Sequence, residues 1–369
     1  MGRTYLPVGY RSIQWLCVFL LTFLGIAFFL FGHRHSFSDH VIQMGRLFPS
    51  PFANENGSYP MEPILLSAHA DAKLLIYNRI PKTGGTSIVH LVYQLYQANK
   101  VAVAFLNITH DRHSLTLSNR LLLVRDLSAR DYSRPLLLHG HFRYLNFKQC
   151  GSVVQPLYIN MIRDPLDRLV SYYYFLRFGD DFRPYLIRRR MSNLVQQSQS
   201  FDECVVAKGY DCHPNKLWLQ VPFFCGHAAY CQVPGSRMAL ETAKRRVTED
   251  YVLVGITEAF DDFVLLLEKI FPQFFNGALT LLRGSNGWHM RRTINKSPIN
   301  ESTRSYFKSN PVWQVEQEFY DFVRDEFWSM RNALVRGSPV DTHTNGTESP
   351  LSWSRQQLLY QRIRPSEGE

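Results

Sequence analysis

The chain has 369 residues, 45% of them hydrophobic and 14% aromatic, with 41 Lys and Arg against 31 Asp and Glu and a formal net charge of +10. This composition excludes a disordered or low-complexity chain and suits one large domain or two small ones, with a sizeable core. The positive balance points to a polyanionic partner: nucleic acid, anionic lipid or an acidic glycan.

Residues 15–32, WLCVFLLTFLGIAFFLFG, carry no charge. Eighteen residues rising about 1.5 Å each reach roughly 27 Å, enough for a thin bilayer of the secretory pathway. Arg3 and Arg11 precede this run and Arg34 follows it, a slight bias that orients the remainder into the lumen. No small-residue cleavage site follows, so the run reads as an uncleaved signal anchor. Residues 1–14 are then a cytoplasmic tail, 33–72 a stem rich in Ser, Pro, Asn and Gly, and 73–369 a lumenal domain. Sequons at Asn56, Asn107, Asn300 and Asn345 agree with that placement; a fifth, at Asn295, is weakened by Pro298. Among the six cysteines, Cys17 lies in the span. Cys204 and Cys212 are close neighbours, as are Cys225 and Cys231, with no C-x2-C spacing, which favours two local disulfides over a zinc site. Cys150 is left as a buried free thiol or, less simply, an intermolecular bridge.

From Leu74 onward, buried strands alternate with helices. LLIYNRI (74–80) reads as a strand, followed by Ile88, Val89, Leu91, Val92 and Leu95 at helical spacing. VAVAFLNIT (101–109), RPLLLHGHFRYL (134–145), PLYINMIRD (156–164) and YVLVGITE (251–258) contain further strands. Helices are expected from Pro165 through 178, over 260–271 and over 313–335. The alternation implies parallel strands with crossovers: an α/β three-layer sandwich around a central parallel sheet. Residues 337–350 read as a polar linker before a short C-terminal segment.

The first strand-to-helix junction reads IYNRIPKTGGTS (76–87). It is P-loop-like, but Lys82 precedes Gly84 and Gly85, the reverse of G-x-x-x-x-G-K-[ST]. Glycine backbone, a helix N-terminus, one lysine and the hydroxyls of Thr83, Thr86 and Ser87 together suit a phosphate or similar anion. The plainer alternative is a turn with a surface lysine. In NMIRDPLDRLVSYYYF (160–175), Arg163 ends a strand and Ser171 lies two turns into the next helix. They suit a second phosphate, unless Arg163 pairs with Asp164 or Asp167 and Ser171 merely packs.

These stretches carry a resemblance. PKTGGTS resembles the 5′-phosphosulfate loop of sulfotransferases that use 3′-phosphoadenosine 5′-phosphosulfate (PAPS), and IRDPLDRLVSYYYFLRFGDDFRP resembles their 3′-phosphate motif. HGHFRYLNF, FDECV, DCHPNKLWLQVPFFCGH, YVLVG and EFYDFV are similar to the heparan sulfate 2-O-sulfotransferase family, over about Leu74 to Pro365. The resemblance implies a Golgi membrane enzyme, single-pass type II and homotrimeric. It would move a sulfuryl group from PAPS, leaving PAP, to the 2-O position of uronic acid, mainly iduronic acid, in a heparan sulfate chain. Neither a metal nor a nucleic-acid partner is expected. His139 and His141 share a face of an extended chain; the resemblance makes His141 the general base and His139 its assistant. Lys82 would act on the transferring group, the loop from Thr83 to Ser87 would hold the 5′-phosphate, and Arg163 and Ser171 the 3′-phosphate, with Thr293 and Lys296 as later contacts. Arg79, Tyr93, Asp180, Arg183, Arg188 or Arg189 of the run 188–190, and Arg362 match glycan contacts. Two positions depart from the family pattern: Phe105 stands in place of a substrate-contacting histidine, and Arg362 in place of lysine.

Three other readings compete. One is a uronyl 2-O-sulfotransferase acting on dermatan or chondroitin sulfate, whose loop lacks the PKT start. Another is a P-loop kinase, disfavoured by the glycine order and the HGH pair. The third is a non-catalytic glycan-binding membrane protein, disfavoured by intact Lys82, His139 and His141.

Overall fold

The computed structural model of the chain describes residues 72–108, 113–181, 197–284, 293–335 and 361–363. The expected membrane span and stem, and the sequons at Asn56 and Asn345, lie outside the described residues. No helix among the described residues is long and apolar enough to cross a membrane.

Strand β1 (Leu74–Asn78) leads into helix α1 (Gly85–Leu95), and β2 (Ala102–Leu106) into α2 (Leu117–Ser128). β3 (Leu136–Gly140) and β4 (Leu157–Ile162) follow, then α3 (Pro165–Phe178), α4 (Phe201–Val206), α5 (Gln220–Cys225) and α6 (Arg237–Glu249). β5 (Tyr251–Ile256) precedes α7 (Phe260–Ile270), α8 (Pro272–Phe275), α9 (Ala278–Gly284), α10 (Glu301–Lys308) and α11 (Pro311–Val335); β6 (Gln361–Ile363) comes last. The six strands form one sheet in the order β5-β4-β1-β3-β2-β6. Every neighbouring pair is parallel. Each residue of β1 and of β3 is buried, as a parallel sheet covered on both faces requires. The expected α/β sandwich is therefore the observed one.

Local chemistry accounts for the elements nearest the junctions. In α1 the apolar positions named above are all buried. Pro165 opens α3, and the Asp164 side chain caps it by accepting the Asp167 N–H at 2.8 Å. The long helix α11 packs on β5 and α6. Among the strands described, only β6 has no counterpart in the sequence reading. Three residues are too few for a period, and its edge position comes from pairing with β2, where Arg362 stands opposite Phe105.

Both local disulfides are formed, Cys204–Cys212 with Cα atoms 6.1 Å apart and Cys225–Cys231 with 5.8 Å. Cys150 is a half-buried free thiol packed against the main core. Around the first disulfide, Arg177 pairs with Asp211 at 3.1 Å while its guanidinium lies 3.6 Å over the Tyr173 ring, and all of this is buried.

Candidate active site

The loop joining β1 to α1 lies at the carboxyl end of the sheet, where open α/β sheets bind their ligands. Lys82 adopts φ 70° and Gly84 φ 82°, so the chain doubles back twice in the left-handed region. A Cβ on Gly84 would lie 3.0 Å from the Met161 methyl, and one on Gly85 3.0 Å from the Tyr77 hydroxyl. The glycines thus let the loop lie close on β1 and β4. No side chain caps α1 and no acidic residue lies in its first turn, so the partial positive charge of that helix end faces the loop uncompensated. The Thr83 hydroxyl is fully buried and donates to the Ile80 carbonyl at 3.1 Å, which makes it a brace within the loop. Ser87 is buried and its N–H closes the turn onto the Gly84 carbonyl at 3.0 Å.

Several separate segments converge on this loop. The Lys82 ammonium donates to the Thr293 hydroxyl at 2.9 Å and lies 4.1 Å above the Phe175 ring. Ser171 of α3 is 3.2 Å from the same Thr293 hydroxyl. Arg163, the first residue after β4, brings its guanidinium to 3.5 Å from the Lys82 carbonyl. The Lys296 ammonium is held below its usual range by desolvation and then by the charge of Arg163. Lys82, Arg163, Ser171 and Thr293 are thereby gathered at adjacent strand ends, two positive charges and two hydroxyls of the kind that suits an anion, and the charge of Arg163 is felt at Lys296.

The two histidines of HGH are held in opposite ways. His139 is the penultimate residue of β3, beside Tyr77 on β1 and Phe105 on β2 in register. It is 3% exposed, stacks on Phe105 with centroids 5.1 Å apart, and bonds through Nε2 to the Tyr93 hydroxyl at 3.0 Å. Burial, then Arg79 and His141, hold its pKa well below the usual histidine range, so it is neutral at physiological pH. His141 is half-buried, and its Nδ1 lies 2.8 Å from the Arg79 carbonyl. A carbonyl only accepts, so Nδ1 carries the proton and Nε2 the lone pair. That bond also ties His141 to the loop three residues ahead of Lys82. Arg79 in turn lies over Phe105, its guanidinium carbon 5.7 Å from the ring centre.

Of the remaining expected glycan contacts, two are placed by backbone pairing and the rest lie outside the described residues. Asp180 is fully buried, and its backbone pairs with Thr293 in an isolated antiparallel bridge. Arg183, Arg188 and Arg189 lie outside the described residues. Arg362 sits on β6 in the row of Phe105 and His139. Of the sequons, Asn107 is half-buried just after β2, and Asn300 is exposed and caps α10. Three contributors were not anticipated. The Thr257 hydroxyl lies 2.9 Å from both the Thr83 and the Ile162 carbonyls. Phe175 underlies Lys82, and Gln220 brackets the Arg163 backbone. Gln220 alone left a trace in the sequence, as a lone amide inside the apolar run LWLQVPFF.

Comparison with known proteins agrees with this geometry. Residues 68–311 match the Sulfotransferase family. The chain is 43% identical over 292 residues to the heparin sulfate O-sulfotransferase of Drosophila melanogaster, covering 79% of each chain. It is 43% identical over 306 residues to heparan sulfate 2-O-sulfotransferase 1 of Gallus gallus, covering 83% of this chain and 82% of that one. With heparan sulfate 2-O-sulfotransferase 1 of Homo sapiens it shares 40% identity over 292 residues, 79% of this chain and 78% of the other. A parallel sheet with a two-glycine loop after its first strand, and likeness of this depth over most of the chain, lead to one conclusion: the chain belongs to the sulfotransferase family, in the group of the heparan sulfate 2-O-sulfotransferases.

Proposed function

We propose that the enzyme transfers a sulfuryl group from PAPS to the 2-O position of uronic acid, mainly iduronic acid, in heparan sulfate. One observation carries this reading. The His141–Arg79 hydrogen bond leaves the lone pair on Nε2 and ties His141 to the chain three residues ahead of Lys82, which supports base and cation serving one reaction centre. The residues also fit the donor: an uncapped helix N-terminus and the two-glycine loop suit its 5′-phosphate, and Arg163, Ser171, Thr293 and Lys296 its 3′-phosphate. When bound, PAPS supplies a sulfuryl group whose bond to the 5′-phosphate oxygen is the one that breaks.

His141 Nε2 would take the proton of the acceptor hydroxyl as that oxygen bonds to the sulfuryl group that PAPS supplies and the bond to the 5′-phosphate breaks. Lys82, which donates to Thr293 here, would supply positive charge to the transferring sulfuryl group and the leaving phosphate with PAPS bound. His139, neutral and tied to Tyr93, orients the acceptor. Arg79, Tyr93, Asp180, Arg183, Arg188, Arg189 and Arg362 form or support the basic glycan groove, in keeping with the net charge of +10. Phe105, apolar against His139, narrows which uronic acid is accepted. The N-terminal segment 15–32 anchors the enzyme in the Golgi membrane as a homotrimer with its catalytic domain lumenal.

The test is transfer of labelled sulfate from PAPS to desulfated heparan, chondroitin and dermatan chains, followed by disaccharide analysis. Label on 2-O-uronate of heparan alone is expected. Label on dermatan or chondroitin instead moves the enzyme to the uronyl 2-O class, and no label on any chain leaves a glycan-binding protein.

A further inference from the structure

Gln220 is fully buried at the start of α5, in a run otherwise apolar. Its side-chain oxygen accepts the Arg163 N–H at 2.9 Å, and its amide nitrogen donates to the Arg163 carbonyl at 2.8 Å. Arg163 comes directly after the last residue of β4. There the ladder stops, and its main-chain groups need partners that no strand supplies. The amide matches both, as an adjacent strand would, and holds the Arg163 backbone in one orientation.

The support behind Gln220 is itself fixed. Buried Glu316 of α11 accepts the N–H groups of both flanking residues, Leu219 at 2.8 Å and Val221 at 3.2 Å. Arg168 of α3, also buried, donates to the Lys216 and Leu217 carbonyls at 3.1 and 3.3 Å. The Cys225–Cys231 bond closes the other end of α5. Two helices and a disulfide therefore fix the segment that carries this amide. The backbone it grips belongs to the arginine whose guanidinium reaches the Lys82 loop and whose charge is felt at Lys296.

We propose that Gln220 is a positioning residue for Arg163, aiming its guanidinium so that the site distinguishes a donor phosphorylated at both 3′ and 5′ from one phosphorylated at 5′ alone. This rests on the reading that Arg163 holds the 3′-phosphate. Gln220 does not touch the donor; it acts through the main chain of the residue that does.

The experiment is a double-mutant cycle on the full chain, reading affinity for adenosine 3′,5′-bisphosphate and for adenosine 5′-phosphate by calorimetry. Gln220→Met should weaken the bisphosphate about tenfold, the scale of one charged hydrogen bond, and leave the monophosphate within about twofold. In an Arg163→Ala background, Gln220→Met should change the ratio of the two affinities no further. Gln220→Asn, too short to span both backbone groups, should behave as Gln220→Met and serves if the latter does not fold. If Arg163→Ala leaves the ratio unchanged, the assignment of Arg163 to the 3′-phosphate falls. If Arg163→Ala collapses the ratio while Gln220→Met or Gln220→Asn lowers both affinities equally or neither, Gln220 is only structural and the proposal is overturned.

Discussion

His139 and His141 stand two residues apart on one strand end, yet hydrogen bonding assigns them different work. The Arg79 carbonyl fixes the proton of His141 on Nδ1, whereas His139 gives its Nε2 to Tyr93 and stacks on Phe105. His141→Ala should therefore lower turnover by about 10²–10⁴-fold, the usual contribution of a general base, with affinity for adenosine 3′,5′-bisphosphate unchanged. His139→Ala should lower turnover less and raise the acceptor KM. Turnover and bisphosphate affinity measured side by side decide it; a fully active His141→Ala enzyme would remove that residue from the mechanism. The HGH pair and Lys82 were legible in the sequence because they lie in short motifs at strand ends. Thr293 was named only through resemblance, and its contact with Lys82, 211 residues away, was not legible at all.

At the scale of elements, the β1–loop–α1 and β4–α3 junctions were readable because strand, turn and helix signals are local there. The supports behind them were not. Thr257 braces the Thr83 carbonyl across 174 residues, and Gln220 grips Arg163 across 57. No periodicity records such contacts, since each is a single polar side chain in an apolar segment whose partner is set by the sheet order. α2 and α6 were also unannounced: α2 exposes Leu117, Leu121 and Leu122, which blurs its apolar stripe, and α6 buries mostly small residues. The loop itself offers a test at this scale. Gly84 is left-handed, and a Cβ there would press on Met161. Gly84→Ala should cost about 1–2 kcal/mol of stability from the backbone alone and weaken donor binding with it. Thermal melts with and without adenosine 3′,5′-bisphosphate report the two effects; an unshifted melt with native affinity would show that the loop tolerates a right-handed residue.

Over the whole molecule, buried titratable groups set how stability depends on pH. Burial pushes Glu316 up to about 7, against the pull of Arg168 and two backbone N–H groups. Its folded pKa exceeds the unfolded one, so the native state binds more protons between about 4.5 and 7, and this contribution to stability is lost as pH rises through that window. Burial, aided by Arg120 and Arg143, lowers His227 to about 4, which has the opposite slope: stability is present above about 6.5 and lost as pH falls towards 4. The two partly cancel in the native protein and separate in a variant. Glu316→Gln keeps the acceptor for Leu219 and Val221 but does not ionise, so its melting temperature relative to the native chain should rise between pH 5 and pH 8. A difference that is flat with pH would mean that Glu316 stays ionised throughout. A last consequence follows from the left-handed backbone of Lys82. An L-residue there carries strain of about 1–2 kcal/mol that glycine would not. Lys82→Gly should melt above Lys82→Ala by about 1 kcal/mol, while both lose about 10²-fold or more in turnover. Stability and activity pull in opposite directions at this one position. Relaxed selection would let glycine drift in, and a glycine at this position in a related chain would mark an enzyme that has given up catalysis while keeping its fold.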